Sequence, residues 1–135
     1  MGERFRVLVT GSRTWTDHEA VLFELAGLSL LHGGITVVHG AARDGADRFA
    51  HLAATAIGAA EERHPADWKR HNRRAGYVRN EEMVATAPDL VLAFIARCEL
   101  DRCAARKPHG THGSEHCAGA AENAGIEVRR YTPDG

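Results

Sequence analysis

Three short segments combine glycine with hydroxyl or guanidinium side chains, the residue types from which a phosphate site is built. They are Gly11-Ser12-Arg13-Thr14, Gly40-Ala41-Ala42-Arg43-Asp44-Gly45-Ala46-Asp47, and Gly110-Thr111-His112-Gly113-Ser114-Glu115-His116. Glycine lets the backbone approach an anion, amides at a helix start bind it, and Arg adds a charged fork. Each segment alone also reads as an ordinary strand-to-helix turn, and the Gly11 turn fits neither a dinucleotide GxGxxG nor a Walker loop. Their weight comes from meeting at one edge of a sheet. Arg79-Asn80 adds a further candidate, an Arg on a helical stretch that either reaches a ligand phosphate or ribose or pairs with Glu81 or Glu82 on a solvated face. Asp44, Asp47 and Glu115 are candidate acid–base groups at the same edge, with helix capping and dipole complementarity as the alternative for Asp44 and Asp47.

Nucleophilic catalysis is not signalled, because no Gly-x-Ser-x-Gly elbow is present and neither Ser12 nor Ser114 has an evident His base in strand order. The nine His and three Cys invite a metal hypothesis. Cys98 and Cys103 precede His109, His112, His116 and Cys117, yet Cys98-x4-Cys103 is loose, and His112-x3-His116 straddles a loop-to-helix boundary. Structural zinc sites show tighter pairs at set distances. The pattern therefore argues against zinc and reads as scattered His beside a buried Cys117 and a strand-terminal Cys98.

The elements that must position these residues alternate in type. β-rich runs lie at Phe5–Thr10, Ile35–His39, Glu61–His64, Leu90–Ile95 and Glu127–Tyr131. Between them, Thr16-Asp17-His18-Glu19 predicts a capping box, with Val21, Leu22, Leu25 and Leu28 on one helical face and Gly33-Gly34 as the stop. Ala46, Phe49, Ala50, Ala53, Ala56 and Ile57 predict a second helix that Gly58 ends. A third helical region runs from about Trp68 to Ala87, with a break expected at Ala75-Gly76 and Pro88 closing it. A fourth starts near Ser114 and ends before Gly125. This alternation predicts an α/β fold: a small Rossmann-like doubly wound domain with about five mainly parallel strands and helices on both faces. Ligands of such sheets bind beyond the carboxyl ends of the strands. The polar run from Ala96 to Gly113 is long for a connection in a compact domain.

At 135 residues and a formal charge of −1, the chain predicts one domain and argues against a general nucleic-acid or membrane-surface binder, which would carry a basic excess. The start, Met1-Gly2-Glu3-Arg4, carries no signal-peptide apolar stretch, and the longest uncharged apolar run, Leu90 to Ala96, is far short of a membrane span. A cytoplasmic address with reduced thiols is expected.

Val7-Leu8-Val9-Thr10-Gly11-Ser12-Arg13 with Trp15, and then Val38-His39-Gly40-Ala41-Ala42-x-Asp44-Gly45-Ala46-Asp47, resemble the YspA-like (YAcAr) family of the SLOG superfamily. His64-Pro65-Ala66-Asp67-Trp68, Ala75-Gly76-x-x-Arg79-Asn80-x-x-Met83 and Gly113-Ser114-Glu115-His116-Cys117 leading to Ala124-Gly125-Ile126 continue the likeness in order over nearly the whole chain. The resemblance implies a Rossmann-like fold and a nucleotide or nucleotide-derived ligand, including ADP-ribose-like molecules. Some relatives, the LOG enzymes, cleave the N-glycosidic bond of nucleoside monophosphates, others are sensors without turnover, and DprA-type relatives bind single-stranded DNA.

Carried over residue by residue, Gly11, Ser12 and Arg13 match the first loop and Gly40, Gly45, Ala46 and Asp47 the second. Arg79 and Asn80 stand where LOG-type enzymes place a catalytic Arg. The LOG loop Pro-Gly-Gly-x-Gly-Thr followed by Glu has no counterpart: Ser114 replaces the Thr, Glu115 falls one place early, and His116 stands roughly at the Glu position. The expectation is a module that binds or senses a nucleotide-derived ligand without a resident cofactor. Phosphate would lie on the amides of Gly11–Arg13 and at the helix start of Gly113 and Ser114, with Arg13 and Arg79 as charge and Asp47 or Asn80 on ribose. An N-glycosidic hydrolase using Arg79 with Glu115 or Asp47 is the alternative, and a single-stranded nucleic-acid binder is disfavoured by charge and few aromatics. Homo-oligomerisation through helices is a further expectation of the resemblance.

Overall fold

The structure, a computed structural model, describes residues 4–98 and 112–133. Cys103, His109, Gly110, Thr111 and most of the Ala96–Gly113 run lie outside the described residues.

Five strands, β1 (Phe5–Gly11), β2 (Ile35–His39), β3 (Ala60–Arg63), β4 (Leu90–Phe94) and β5 (Val128–Tyr131), form one sheet in the order β3-β2-β1-β4-β5. Every pairing is parallel, with Val7 opposite both Val37 and Leu90. The central strands are apolar on both faces, as strands covered from both sides must be, and all five residues of β4 are buried. The edge strands carry charge instead: Ala60-Glu61-Glu62-Arg63 and Val128-Arg129-Arg130-Tyr131. Charged edges resist pairing with further chains.

Helices α1 (His18–His32) and α2 (Ala46–Ile57) cover one face, where Val7, Val9, Leu92 and Phe94 pack with Val21, Leu25 and Ala50. On the opposite face, Leu8, Val38 and Val91 meet Met83, Val84, Cys117 and Ala121 from α4 (Ala75–Ala85) and α5 (His112–Asn123). Alternate strand residues thus serve alternate faces. A single turn, α3 (Trp68–His71), and a 3-10 turn at Asn72–Arg74 connect β3 to α4. The chain leaves β1 for β2 on one side and later returns to place β4 on the other, so the switch in strand order lies between β1 and β4.

Several local expectations are corrected. The cap of α1 is Asp17, whose Oδ1 accepts from the Ala20 amide at 3.0 Å, so Thr16 lies one residue before the cap. A carboxylate also complements the positive end of the helix, which a hydroxyl does not. Leu22 and Ala56 are exposed rather than part of the core stripes, and Ala54 is buried in α2. The break before α4 falls at Asn72–Arg74, with Asn72 at φ +51°, and Ala75 and Gly76 already belong to the helix. α5 begins at His112, two residues before Ser114. Its counterpart α4 ends at Ala85, and Ala87, in front of Pro88, takes φ +57°.

Candidate functional site

The carboxyl end of β1 runs into Ser12, which is 2% exposed and ties three elements together. Its amide donates to the Phe94 carbonyl at 2.9 Å, its carbonyl accepts from the amides of Trp15 and Ala46, and its Oγ accepts from the Ala96 amide at 2.8 Å. Of the Gly11–Arg13 amides expected to hold phosphate, that of Ser12 is committed to β4, and Gly11 ends β1 in register with Phe94. Ser12 fixes the site's floor. Arg13 and Thr14 of this loop are exposed, and the Arg13 guanidinium carbon lies 5.9 Å from the centre of the Trp68 ring.

The second loop is shaped by two glycines. Gly45 has φ +72° and ψ −145°, and a Cβ there would stand 2.6 Å from Arg13 Cα. Gly40 lies under Arg79, where a Cβ would stand 2.6 Å from the guanidinium carbon. These contacts take Arg79 away from Glu81 and Glu82 on its own helix. Its Nη1 donates to the Gly40 carbonyl at 2.6 Å and its Nε to Asn80 Oδ1 at 2.9 Å, while Glu81 lies 3.6 Å from His116 Nε2 instead. Asn80 is buried, and its Nδ2 donates to the Gly113 carbonyl at 3.2 Å. A continuous chain, Gly40–Arg79–Asn80–Gly113, therefore links the end of β2 to the start of α5 across the switch point.

Asp47 is 7% exposed, and its Oδ2 accepts from the Ala42 amide at 3.2 Å. Asp44 is exposed and α2 has no side-chain cap, so neither carboxylate caps the helix start at Gly45. Burial pushes the Asp47 carboxyl above its ordinary value, and the Ala42 amide and the charges of Arg79 and Arg13 pull against that. A raised folded pKa means the native state holds the proton more tightly than the unfolded chain. This group's stability contribution is therefore full below the ordinary value of 3.8 and lost as pH rises through the folded value. Asp47→Asn keeps an acceptor for Ala42 and removes the buried charge. It should raise the melting temperature near pH 7 by about 3–5 °C, on the order of 1 kcal/mol, with the gain vanishing near pH 3. A melting series over pH checks this, and an equal gain at both pH values would refute it.

Beneath the Gly40 loop lies a network that sequence reasoning missed. His39, 1% exposed, accepts from the Ala41 amide at Nδ1 (3.0 Å), which leaves the ring proton on Nε2, 2.7 Å from Glu61 Oε2. His51 Nδ1 lies 2.9 Å from the same oxygen. Burial alone would raise the Glu61 carboxyl, but the hydrogen bonds of His39 and His51 outweigh it and hold it below its ordinary value. The three potential ligand atoms lie within 4.8 Å of one another, the spacing of a metal site. The His39 ring has no lone pair left for a metal, since Nδ1 is engaged by Ala41 and Nε2 carries the proton. The cluster is instead a hydrogen-bonded support that holds Ala41 at φ +58°. The one signal for it in the sequence was a lone His ending an apolar strand.

Trp68, the expected start of the third helical region, opens α3 and stands beside the Arg79 cluster. It is 51% exposed and lines an open groove of about 780 Å³ together with His71, Asn72 and Arg74. The groove flanks the Arg79 cluster rather than coinciding with it, and Gly76 joins the two. A Cβ on Gly76 would be 3.9 Å from both the Arg79 Nη2 and the Trp68 ring.

At the start of α5, Gly113 is exposed and Ser114 is buried. Glu115 is directed away from this constellation: it is exposed and lies 3.7 Å from Arg130 Nε of β5. Of the sulfur and imidazole set, Cys117 is fully buried, and burial pushes its thiol up to about 11, which makes it inert at neutral pH. Cys98 Sγ lies 3.7 Å from His112 Nε2 at the mouth of the loop. Among the described residues, no helix is long and apolar enough to cross a membrane.

The structure thus gathers Arg13, Gly40, Gly45, Asp47, Arg79, Asn80 and Gly113 around one sheet edge and leaves Glu115 outside. Over 131 residues the chain is 41% identical to the Gene 61 protein of Mycobacterium phage D29, covering 93% of this chain and 95% of that one. The profile of the YspA, cpYpsA-related SLOG family matches residues 5–71, the stretch that carries the Gly11, Gly40–Asp47 and Trp68 segments. With its parallel sheet and this order of loops, the chain belongs to the YspA, cpYpsA-related SLOG family.

Proposed function

We propose that this protein binds a nucleotide-derived small molecule at the carboxyl edge of its sheet. One observation carries the reading: the Arg13 guanidinium, on the loop that leaves β1, lies over the exposed Trp68 indole, and Gly76 stands between that ring and the Arg79 guanidinium. Phosphate requires forked cations, and a base requires an aromatic face. Trp68 with Arg13 above it is a platform for a base, and Arg79 beside the Gly40 carbonyl is a cation held in place for phosphate. Asp47 and Asn80, buried at the floor, are the hydrogen-bonding groups closest in kind to what a ribose hydroxyl needs. Membership in the family supports a ligand of the nucleotide, NAD or ADP-ribose class.

A second reading, hydrolysis of an N-glycosidic bond in such a ligand, rests on Asp47. It is a buried carboxyl with a raised affinity for its proton beside Arg79, the condition a general acid needs. The outward course of Glu115 leaves Asp47 as the carboxylate available for that role among the candidates, and sensing without turnover remains the favoured function.

Thermal shift against nucleotides, NAD, ADP-ribose and its cyclic forms, followed by mass spectrometry of the same mixtures, tests both readings. A ligand at 100 times its Kd adds about 2.7 kcal/mol. A shift with the ligand recovered whole supports sensing, release of free base makes the protein a hydrolase, and no shift across the panel would overturn the proposal. Trp68→Ala should weaken binding by about tenfold to a hundredfold, from about 1–3 kcal/mol of stacking, with little change in melting temperature because the ring is half exposed. Unchanged affinity would remove the platform.

A further inference from the structure

The peptide unit between Gly40 and Ala41 is held from both sides. Its N–H donates to His39 Nδ1 at 3.0 Å, and its C=O accepts from Arg79 Nη1 at 2.6 Å. The two groups of a trans peptide point in opposite directions, so one rigid plane spans from the buried imidazole to the guanidinium. The flanking peptides are pinned separately. The His39 carbonyl accepts from the His64 amide at 2.9 Å, and the Ala42 amide donates to Asp47 Oδ2 at 3.2 Å. The held arrangement is strained, because it keeps Ala41 at φ +58°, where a Cβ is disfavoured. Turning this one peptide over, about the line between its two Cα atoms, would bring that φ to about −120°, ordinary extended backbone. Gly40, without a Cβ, accepts the matching change in ψ.

We propose, building on Arg79 as the cation for phosphate, that this peptide is a proton-driven switch of the anion site: protonation of His39 turns it over, releases Arg79 Nη1 and aims the Ala41 N–H at the same gap. With the ring neutral, Nδ1 is an acceptor and Nε2 carries the proton toward Glu61. Once Nδ1 is protonated, two donors face each other at 3.0 Å and the peptide must move. Turned over, its carbonyl accepts from Nδ1–H. Glu61 Oε2, 2.7 Å from Nε2, accepts on the other side, so the buried imidazolium is paired at both nitrogens. Arg79 stays anchored through Nε on Asn80. Its freed Nη1 and the Ala41 N–H then become two donors around one gap, which an oxyanion fills. The charged groups around the ring set the balance. Glu61 of β3 and Asp47 of α2 favour the proton. Arg79 of α4, Arg63 in register with His39 on β3, and His51 and His64 when charged oppose it. Linkage fixes the sign: an anion that prefers the turned peptide raises the proton affinity of His39, and acid raises the affinity for the anion.

Nitrogen-15 NMR of the full chain, titrated without ligand from about pH 8 to about pH 5.5, reads the switch. At the alkaline end the His39 ring should be protonated on Nε2 alone. On acidification Nδ1 should take a proton, and the Ala41 amide and Arg79 Nε–H signals should move with the same midpoint. Sulfate, whose charge is constant over this range, is the anion probe. Its affinity should rise about tenfold from the alkaline to the acid end, the equivalent of one pKa unit of linkage at His39. His39→Asn puts an acceptor Oδ1 in the place of Nδ1 and takes no proton, so both responses should flatten. If that variant does not fold, Ala41→Gly serves instead. It removes the strain that favours turning, so the midpoint should move to lower pH. A His39 ring that takes up no proton in this range, or takes one while Ala41 stays still, overturns the proposal. So does a sulfate affinity independent of pH, or a pH dependence that survives His39→Asn. Ala41 following the ring with no sulfate bound at any pH would keep the switch and sink only the assignment of Arg79 to phosphate.

Discussion

An Arg79→Ala variant is expected to lose ligand affinity by about tenfold to more than a hundredfold, the equivalent of 1.5–3 kcal/mol for a charge-assisted contact. The same substitution should also cost stability. Arg79 is the donor to the Gly40 carbonyl at 2.6 Å and to Asn80 Oδ1 at 2.9 Å, and both acceptors belong to buried residues. Leaving these acceptors without their donor costs about 1–3 kcal/mol, so the melting temperature should fall by several degrees while the protein stays folded. Arg79→Lys separates the two roles. A single ammonium can satisfy one carbonyl but cannot present a planar fork, so stability should recover further than affinity. Isothermal titration with the ligand found by the panel, alongside thermal melts, reads both quantities. A folded Arg79→Ala protein that binds within threefold of the wild type would show that the guanidinium is a structural strut only.

The largest effect on stability is expected at Gly45. Its backbone, φ +72° and ψ −145°, occupies a region that side chains with a Cβ hardly enter. A methyl group there would also press on the backbone of Arg13, at 2.6 Å from Cα and 2.7 Å from the carbonyl carbon. Backbone has no rotamer by which to yield. Strain and overpacking together put Gly45→Ala at about 3–5 kcal/mol, a large part of the 5–15 kcal/mol typical of a domain. Urea denaturation measures it directly, and a loss below about 1 kcal/mol would mean that the α2 entry can be rebuilt without glycine. Gly58→Ala is the matched control. It also has positive φ, at +70°, but a Cβ there meets nothing within 4 Å, so it should cost about 1 kcal/mol.

Much of this molecule was legible from its residues. Apolar runs with β-branched residues between amphipathic stretches specify strands and helices locally, and a helix between successive strands supplies the crossover that parallel pairing needs. The five-stranded sheet, helices on both of its faces, and the loops beginning at Gly11 and Gly40 follow from that. Boundaries such as the Asp17 cap and the break at Asn72 shifted by one to three residues, because neighbouring residues can serve a cap almost equally well and packing decides between them.

The roles inside the site divide differently. Residue type identified Arg79, Asp47, Gly40 and Gly45 as candidates, since few side chains can hold an anion or permit a positive φ. Direction could not be read, because it depends on which distant group lies opposite. Arg79 turns to the Gly40 carbonyl, 39 residues away, rather than to Glu81 or Glu82 on its own helix. Glu115 turns to Arg130, and Ser12 spends its hydroxyl on Ala96 across the strand pair. His39, Glu61 and His51 come from three elements and meet only when β2, β3 and α2 are assembled. By itself the sequence determined which chemistry was available and at which edge of the sheet it would gather, because secondary structure follows local pattern. Only the tertiary structure decided which groups support the site and which face a ligand, because hydrogen bonds between elements are chosen by packing at a distance.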